Sequence, residues 1–499
     1  MRQLTGLALL IGFCMMCAMA CSTSQSDTEL YKGAWKYPRV HADGRALVDE
    51  HGRTMMMRGI NVGGGSKVPP FIPWEGTPQD PTFDTDLARF MDFPAGWGMN
   101  VFRLTVFWEA VEPQKGKIDE AYLALVEKQV KSAAERGVYV FIDFHQDLFS
   151  RYYGGSGAPA WVLSDAPAEP PPLDDNGWYL KVFSDKKVLA AFDRFWSNAD
   201  GIRDDYVSMV ATVSARFKDQ PNVLGIDLMN EPNPGAAGKA DLPGWYNQTL
   251  IPFYKRLAEE IRKSAPHFVV FIEPSGLEAG ESGSGPGWTI TGLENYVLSP
   301  HYYYPIQFIT GTYDGNISAL RDALKERDSR SAELGVPILL SEYGFRGLAG
   351  DTDKNENAAR FIRDFYRVLD ETQMHGTIWT HEVTNTYWNR EDCSFVNGDW
   401  SERTPRADAV ARPYAEFTSG EPVSFTYDTL KKRLEYHYKV RPTGEWPTVL
   451  RLPRRHYSGA PVVKLAFGRA LYVADKSLLL VYDEKDGKTP AEQVVEVTP

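Results

Sequence analysis

The sequence predicts a (β/α)8 TIM barrel followed by a small C-terminal β-sandwich, and three observations predict it. From about residue 54 to residue 380, short apolar or β-branched runs alternate with helical stretches about eight times, the pattern of a closed parallel barrel. Nearly every one of those runs ends in polar or aromatic residues. After about residue 420 the helical stretches cease and closely spaced strands follow, which reads as a sandwich.

In chain order the expected barrel strands are "TMMMRGINV" (54–62), "NVFRLTV" (100–106), "VYVFIDFH" (138–145), "VLGIDLMNE" (223–231), "FVVFIEP" (268–274), "YVLSPHYY" (296–303), "VPILLSEY" (336–343) and "HGTIWTH" (375–381). Between them lie stretches such as "AYLALVEKQVKSAAERG" (121–137), where apolar residues recur every three to four positions and Gly137 marks the stop. An open doubly wound sheet would need a glycine-rich phosphate turn leading into a helix. "GGGSK" at 63–67 does not serve, because Val68 and two prolines follow its lysine. The sandwich strands are "PVSFTYD", "RLEYHYKV", "TVLRLP", "PVVKLAF", "SLLLVYD" and "QVVEVT". The barrel is expected over 41–418 and the sandwich over 419–499, as a layer that packs against the barrel.

A net charge of −12 without any long basic run argues against a nucleic-acid partner. Residues 1–20 carry Arg2, an apolar stretch, then Ala18 and Ala20, the pattern of a secretory signal peptide. Cys21, followed by the polar "STSQSDTE", reads as the lipid-modified first residue of a bacterial lipoprotein, with 21–40 as a tether. Ala18 stands where a larger aliphatic residue is usual and Met19 is bulky, so cleavage by the ordinary signal peptidase is the alternative. The chain is therefore expected to be exported, either held at the outer membrane or cell surface by its lipid anchor alone, or periplasmic or secreted. Cys14 and Cys17 leave with the signal, so a lipidated Cys21 leaves Cys393 as the one free thiol, and no disulfide framework follows.

In a barrel the strand endings converge on one face, where the active site lies. Here they offer Asn61, Arg103 and Thr105, Asp143 and His145, Asn230 and Glu231, Glu273, His301 and Tyr303, Glu342, and Trp379 with His381. Residues two apart on a strand share a side, so most of these come as pairs. "LGIDLMNEP" (224–232) shows the problem the site poses: an interior strand that finishes on an amide and a carboxylate. A buried carboxylate without a partner costs several kcal/mol, roughly, so this ending must open into a site. A bulge or twist before Pro232 would turn both Asn230 and Glu231 into the mouth. Glu231 and Glu342 then form a carboxylate pair suited to glycoside hydrolysis, one protonating the leaving oxygen and the other attacking or activating water. A metal centre is the competing chemistry for His and carboxylate clusters, but no HExxH or similarly tight spacing appears, so neither metal nor cofactor is expected.

At these residues the sequence resembles glycoside hydrolase family 5, within the clan of retaining barrel glycosidases. "NVFRLTVFWEAVEPQKG" is similar to the family's second-strand Arg motif, "LMNEP" to its acid/base motif, "SPHYYYP" to its His-x-Tyr pair, "LLSEYG" to its nucleophile strand and "IWT" to its eighth-strand Trp. The resemblance implies Glu231 as general acid/base, Glu342 as nucleophile, and Asn230 on the sugar 2-hydroxyl. It implies further that Arg103 and Tyr303 orient Glu342, while His145, His301 and Trp379 line the sugar subsite beside the scissile bond. Glu273 in "FIEPSG" is the rival carboxylate, set aside because the clan's acid follows an Asn on strand four.

A narrower resemblance is to the branch of endoglycoceramidases and glucosylceramidases, carried by "DFHQDLFSRYYGGSGAPAW", "YWNREDCSFVNGD" and "RPYAEFTSGEP". It implies substrate-binding roles for Lys67 and Asp147. Ala415 and Glu416 after Tyr414 depart from the branch's pattern. The Pro-rich insertion at 164–183, with Trp178, could cover the sugar, contact lipid or decorate the rim. The function this implies is a retaining β-glycosidase that releases a glycan from ceramide. The alternatives are an exo-acting glucosylceramidase or steryl β-glucosidase, a β-glucanase acting on polysaccharide, and a non-catalytic glycan-binding surface lipoprotein.

Overall fold

The structure is a computed structural model and describes residues 37–499 apart from 174–176, 279–288, 347–351, 386–387, 442, 444–445 and 484–491. The expected signal peptide, Cys21 and most of the tether lie outside the described residues.

The barrel strands, with three short strands ahead of them, are numbered in chain order. β1 (Val40–Asp43), β2 (Ala46–Asp49) and β3 (Thr54–Met55) precede β4 (Arg58–Val62), β5 (Val101–Val106), β6 (Tyr139–Phe144), β7 (Val223–Asp227) and β8 (Val269–Ile272). β9 (Tyr296–Leu298) and β10 (His301–Tyr303) are followed by β11 (Leu339–Gly344) and β12 (His375–His381). From β4 to β12 every pairing is parallel, and β12 returns to β4. β9 and β10 are one strand broken at Ser299–Pro300, where Pro300 has no N–H for the ladder. The first half pairs with β8 and the second with β11, and a Leu298–Ile338 bridge joins the two edges, so the ring closes as eight strands. This is the (β/α)8 barrel that the alternation predicts.

β5, β6 and β11 are buried along their whole length, as parallel strands covered by helices must be. Gly225 lets β7 approach β8: an added Cβ would sit 1.8 Å from the Val269 carbonyl oxygen. The helix Glu120–Glu135 begins where Asp119 accepts from the Ala121 and Tyr122 N–H groups, satisfying donors that a first turn leaves free. Among the described residues no helix is long and apolar enough to cross a membrane.

The C-terminal region contributes β13 (Tyr414–Thr418), β14 (Gly420–Asp428), β15 (Arg433–Val440), β16 (Thr448–Arg451), β17 (Val462–Leu465), β18 (Arg469–Val473), β19 (Leu478–Tyr482) and β20 (Glu492–Thr498). They form a sandwich of two sheets, in the orders β1-β2-β3-β13-β16-β19-β18 and β14-β15-β20-β17. The first sheet draws on both ends of the described chain, with Phe417 opposite Met55, so its pairing runs across the boundary expected at 418/419. Residues 40–55 pair among themselves as β1-β2-β3, and only β3 reaches a distant partner, β13, which draws a stretch expected within the barrel into the sandwich sheet.

Between the sheets lie Leu434, Tyr436, Leu450, Leu479, Val495 and Val497. The opposite face of the larger sheet packs Leu47, Met55, Phe417 and Leu480 against Val101, Phe141, Phe271, Val297 and Leu339 of the barrel floor. Glu416 and Arg451 form a fully buried two-bond pair there, and Arg451 also reaches the Gly137 carbonyl. The departure at Glu416 thus serves the contact between barrel and sandwich, at the end of the barrel away from the polar strand endings.

Candidate active site

Arg103, on β5 and wholly buried, organises the mouth of the barrel. Its Nε lies 2.9 Å from Asp227, its Nη1 2.5 Å from Glu342 Oε1 and 3.0 Å from Asn61 Oδ1. Its Nη2 reaches Glu273 at 2.8 Å, Asn230 Oδ1 at 2.9 Å and Asp143 at 3.0 Å. One guanidinium thus meets six side chains from five strand endings. Burial disfavours its charge, but the four carboxylates outweigh this and raise its pKa. Burial and the Glu273 charge push the Asp227 carboxyl well above its ordinary range.

Glu342 and Glu231 stand at the open side of this hub. Tyr303 donates to Glu342 Oε2 at 2.7 Å, and His301 Nδ1 lies 2.8 Å from Glu231 Oε1 and 3.5 Å from Glu342 Oε2. One carboxylate oxygen from each glutamate and a ring nitrogen of His301 all lie within 4.8 Å of one another. The environments of the two carboxyls differ. Burial raises Glu231, and the charges of Glu342 and Glu273 add to that against a hydrogen bond from His301. Burial acts on Glu342 too, but His301, Arg103, His145 and Lys67 overcome it and hold its pKa below the ordinary value. One carboxyl is set to keep a proton and its neighbour to lose it. The three groups are close enough to share an ion, but the positive side chains already around Glu342 work against a further cation.

Glu231 stands four residues beyond the end of β7 with φ of +42°, a region L-residues seldom occupy. The turn that brings Asn230 and Glu231 to one side is therefore a left-handed residue after the strand has ended, in place of a bulge within it. Glu273 lies behind the pair, almost wholly buried. It accepts the Glu231 N–H at 2.7 Å and sits 3.1 Å from His301 Nε2. With Arg103 as a third partner it has no open side. Asn230 gives one N–H to the Gln146 carbonyl at 2.8 Å, and among the described residues its amide nitrogen makes no second bond.

A second cluster adjoins the carboxylates. Lys67 ends the short turn Gly64–Lys67 after β4, with Nζ 3.1 Å from Asp147 and 3.6 Å from Glu391. It lies between the Trp379 and Trp388 rings, 4.4 and 4.0 Å from their centroids. His145 stacks on Trp379 at 5.4 Å and 11° and bonds Asp143 through Nδ1 at 2.7 Å. Burial opposes its charge, yet Asp143 and Asp147 bring its pKa up to about 9. Asp147 accepts from Ser156 and, in spite of burial, Lys67 and His145 hold it well below the carboxylate range.

All ten side chains expected at the site, Lys67, Arg103, His145, Asp147, Asn230, Glu231, His301, Tyr303, Glu342 and Trp379, gather at this mouth. Four more belong to it. Asp227 is hidden within an apolar run, and Gln146 sits between two named residues. Trp388 and Glu391 come from "YWNREDCSFVNGD", a segment that carries the narrower resemblance without pointing to either residue as part of the site. Burial raises Glu391 to about 7 against the pull of Lys67. The expected neighbours Thr105, which bonds the Val62 carbonyl, and His381, buried against Phe90, support the wall behind the mouth.

Comparison with known proteins gives this geometry a family. Residues 48–385 match the model described as cellulase (glycosyl hydrolase family 5), and residues 412–498 match the glycoside hydrolase family 5 C-terminal domain. Endoglycoceramidase I of Rhodococcus hoagii is 29% identical over 466 residues, covering 90% of this chain and 86% of the relative. A glucosylceramidase of Aspergillus fumigatus is 30% identical over 309 residues, 50% of this chain and 39% of that protein. Endo-glycoceramidase II from Rhodococcus sp., in its ganglioside GM3 complex, superposes with a TM-score of 0.72 at 26% identity, covering 92% of this chain and all of that one. With the paired carboxylates at the mouth of its barrel, the chain belongs to glycoside hydrolase family 5 and is an O-glycosyl hydrolase.

Proposed function

We propose that this hydrolase cleaves the β-glycosidic bond joining a glycan to a lipid, by double displacement, and releases the intact glycan. The single observation that carries the lipid reading is an apolar rim beside the polar pit. Leu173, Leu180, Phe183, Ile306 and Ile309 are between 39% and 65% exposed. They belong to the insertion and to two short helices, Trp178–Ser184 and Pro305–Thr310. Tyr179 of one meets Phe308 of the other at 5.4 Å, Phe308 lies 5.2 Å from Tyr303, and Trp178 lies 4.7 Å from Trp388. A sugar in the pit would have its aglycone against exposed aliphatic side chains, which suits an amphiphilic substrate. The endoglycoceramidase relatives support the same class.

In this reading Glu342 attacks the anomeric carbon while Glu231 gives its proton to the departing lipid oxygen. Glu231 then takes a proton from water, which attacks the glycosyl–enzyme bond and frees Glu342. One oxygen from each carboxyl lies within 4.8 Å of the other, closer than the gap of roughly 6.5–9.5 Å that an inverting pair leaves for its water. The charge on Glu342 favours the proton on Glu231, and its loss on forming the covalent bond lets Glu231 act next as a base. Asn230 retains one N–H for the sugar 2-hydroxyl, and Trp379 with His145 forms a flat wall for a ring. Lys67 and Asp147 hold the sugar's outer hydroxyls.

We further infer that residues 1–20 are removed on export and that Cys21 carries the lipid that keeps the enzyme near its substrate. A second reading, exo-acting removal of a single glucose from a ceramide, is favoured by the similarity to the Aspergillus glucosylceramidase. The test is to incubate the protein with glucosylceramide, lactosylceramide, ganglioside, steryl glucoside and soluble glucan and to identify the released sugar. Free glycan from lactosylceramide or ganglioside supports the proposal. Glucose from glucosylceramide alone supports the second reading, and turnover of soluble glucan alone overturns both. Glu342→Gln should lower the rate by orders of magnitude with the fold unchanged.

A further inference from the structure

Gln146 lies between two residues of the sugar pocket and faces away from both. His145 and Asp147 line the cluster around Lys67, whereas the Gln146 side chain turns to the main chain at the end of β7. Its Nε2 donates to the Asn230 carbonyl at 2.8 Å and to the Glu231 carbonyl at 2.9 Å. Its Oε1 accepts the Phe149 N–H at 2.8 Å. The three contacts fix the amide's orientation, since the N–H donor must meet the oxygen and the two carbonyls must meet the NH2 group. Asn230 returns a bond to the Gln146 carbonyl at 2.8 Å, so the two segments are tied in both directions.

These bonds bear on a residue that would not keep its conformation unaided. Glu231 has φ of +42°, a conformation that costs of order 1 kcal/mol for a residue with a side chain. Its N–H is taken by Glu273 and its carbonyl by Gln146, one on each side of the Cα. From the other direction Gly276 packs so close that a Cβ there would lie 2.7 Å from the Glu231 Cβ. The side chain is thereby aimed at His301 and Glu342.

We propose that Gln146 is a positioning residue for the acid/base carboxyl, holding the main chain of Glu231 so that its proton meets the leaving oxygen. This rests on the reading of Glu231 as the acid. It assigns the three consecutive residues 145–147 two tasks, sugar contact by the outer pair and alignment of the acid by the middle one. A substrate that recruits His145 and Asp147 thus engages the same short segment that sets Glu231.

The experiment compares two soluble glycosides of the same glycan, one with a dinitrophenyl leaving group that departs without a proton and one with a simple alkyl leaving group that requires one. kcat/KM reports the first displacement in each case. For Gln146→Met, which keeps length and loses the amide, kcat/KM on the alkyl glycoside should fall roughly tenfold or more, as expected for a displaced general acid. On the dinitrophenyl glycoside it should stay within about threefold. Gln146→Ala should give the same split, and thermal melts of both variants establish that they are folded. Equal losses on the two substrates would show a merely structural role and overturn the proposal, as would no loss on either. Glu231→Ala, run in parallel, separates the underlying reading: if it lacks the same split, the acid assignment fails and the proposal falls with it.

Discussion

Tyr303 gives its hydroxyl hydrogen to Glu342 Oε2 at 2.7 Å, while Arg103 occupies Oε1 at 2.5 Å. Both oxygens of the proposed nucleophile thus accept from a donor that favours the charged form, and attack must release the Tyr303 bond or the Arg103 bond in part. A hydrogen bond to a charged group contributes about 1.5–3 kcal/mol. Tyr303→Phe should therefore lower kcat/KM roughly 10- to 100-fold with little change in melting temperature. A hydrogen bond donated to the charged form favours that form, so losing the Tyr303 donor should raise the pKa of Glu342. Activity requires the ionised form, and the acidic limb of the kcat/KM profile should move to higher pH. A full pH profile of the variant checks this, and an unmoved limb would count against Glu342 as the group that must ionise.

The proton on Glu231 depends on its surroundings in a way that can be read directly. Burial is the largest influence raising its pKa, and the Glu342 charge adds to it. Glu342→Gln removes that charge and keeps the shape, so the carboxyl of Glu231 should titrate at lower pH than in the parent protein. Carbon-13 shifts of labelled glutamate carboxyls across pH 3–9, about the range where carboxyls in such sites titrate, would follow it. An unchanged titration would mean that the two carboxyls do not sense each other.

The barrel was legible because parallel strands covered on both faces must be apolar throughout, so any polar residue at their ends stands out. That is how Arg103, Glu231 and Glu342 could be named from position. Asp227 was not legible, since a single Asp inside "LGIDLMN" gives no sign that an arginine 124 residues earlier will meet it. Glu391 and Trp388 share this fate. They lie in a segment that carries a family resemblance, but nothing in its residues says that it folds over Lys67 and buries these two. The left-handed conformation at Glu231 was invisible too, because Glu has no preference for it and the bonds that impose it come from Gln146 and Glu273. For the same reason the sheet that β1 to β3 join was not legible: β1 and β2 pair locally, and the one distant pairing, β3 with β13, leaves no local signal in the sequence.

The apolar rim allows the lipid reading to be separated from the sugar chemistry. Leu180 and Ile309 are 57% and 65% exposed, so changing them costs the core little. The double variant Leu180→Asp, Ile309→Asp should cut kcat/KM on glycolipid in detergent-free vesicles by roughly tenfold or more, since each apolar side chain withdrawn from lipid contact forfeits about 1–2 kcal/mol. Its kcat/KM on a soluble aryl glycoside should remain within about twofold. Equal effects on both substrates would mean that the rim acts on the pit rather than on the lipid.

Beneath the Lys67 turn, Glu382 accepts the Gly65 N–H at 2.8 Å and is wholly buried. Burial is the main influence that carries its pKa from 4.5 up to about 8, and the Asp392 charge adds to it. A carboxyl whose folded-state pKa is raised binds more protons folded than unfolded across that interval. Its contribution is fully present below pH 4.5 and lost as pH rises through about 8. Each pH unit within the window costs at most about 1.4 kcal/mol for one such proton. Glu382→Gln, which keeps an oxygen for Gly65 and cannot ionise, should flatten the fall in melting temperature between pH 5 and 8, roughly the window in which that proton is released. Above pH 8, about where the parent carboxyl has ionised, the variant should be the more stable protein. Thermal melts of the two proteins at matched ionic strength decide it: parallel curves would mean that Glu382 does not titrate in this interval.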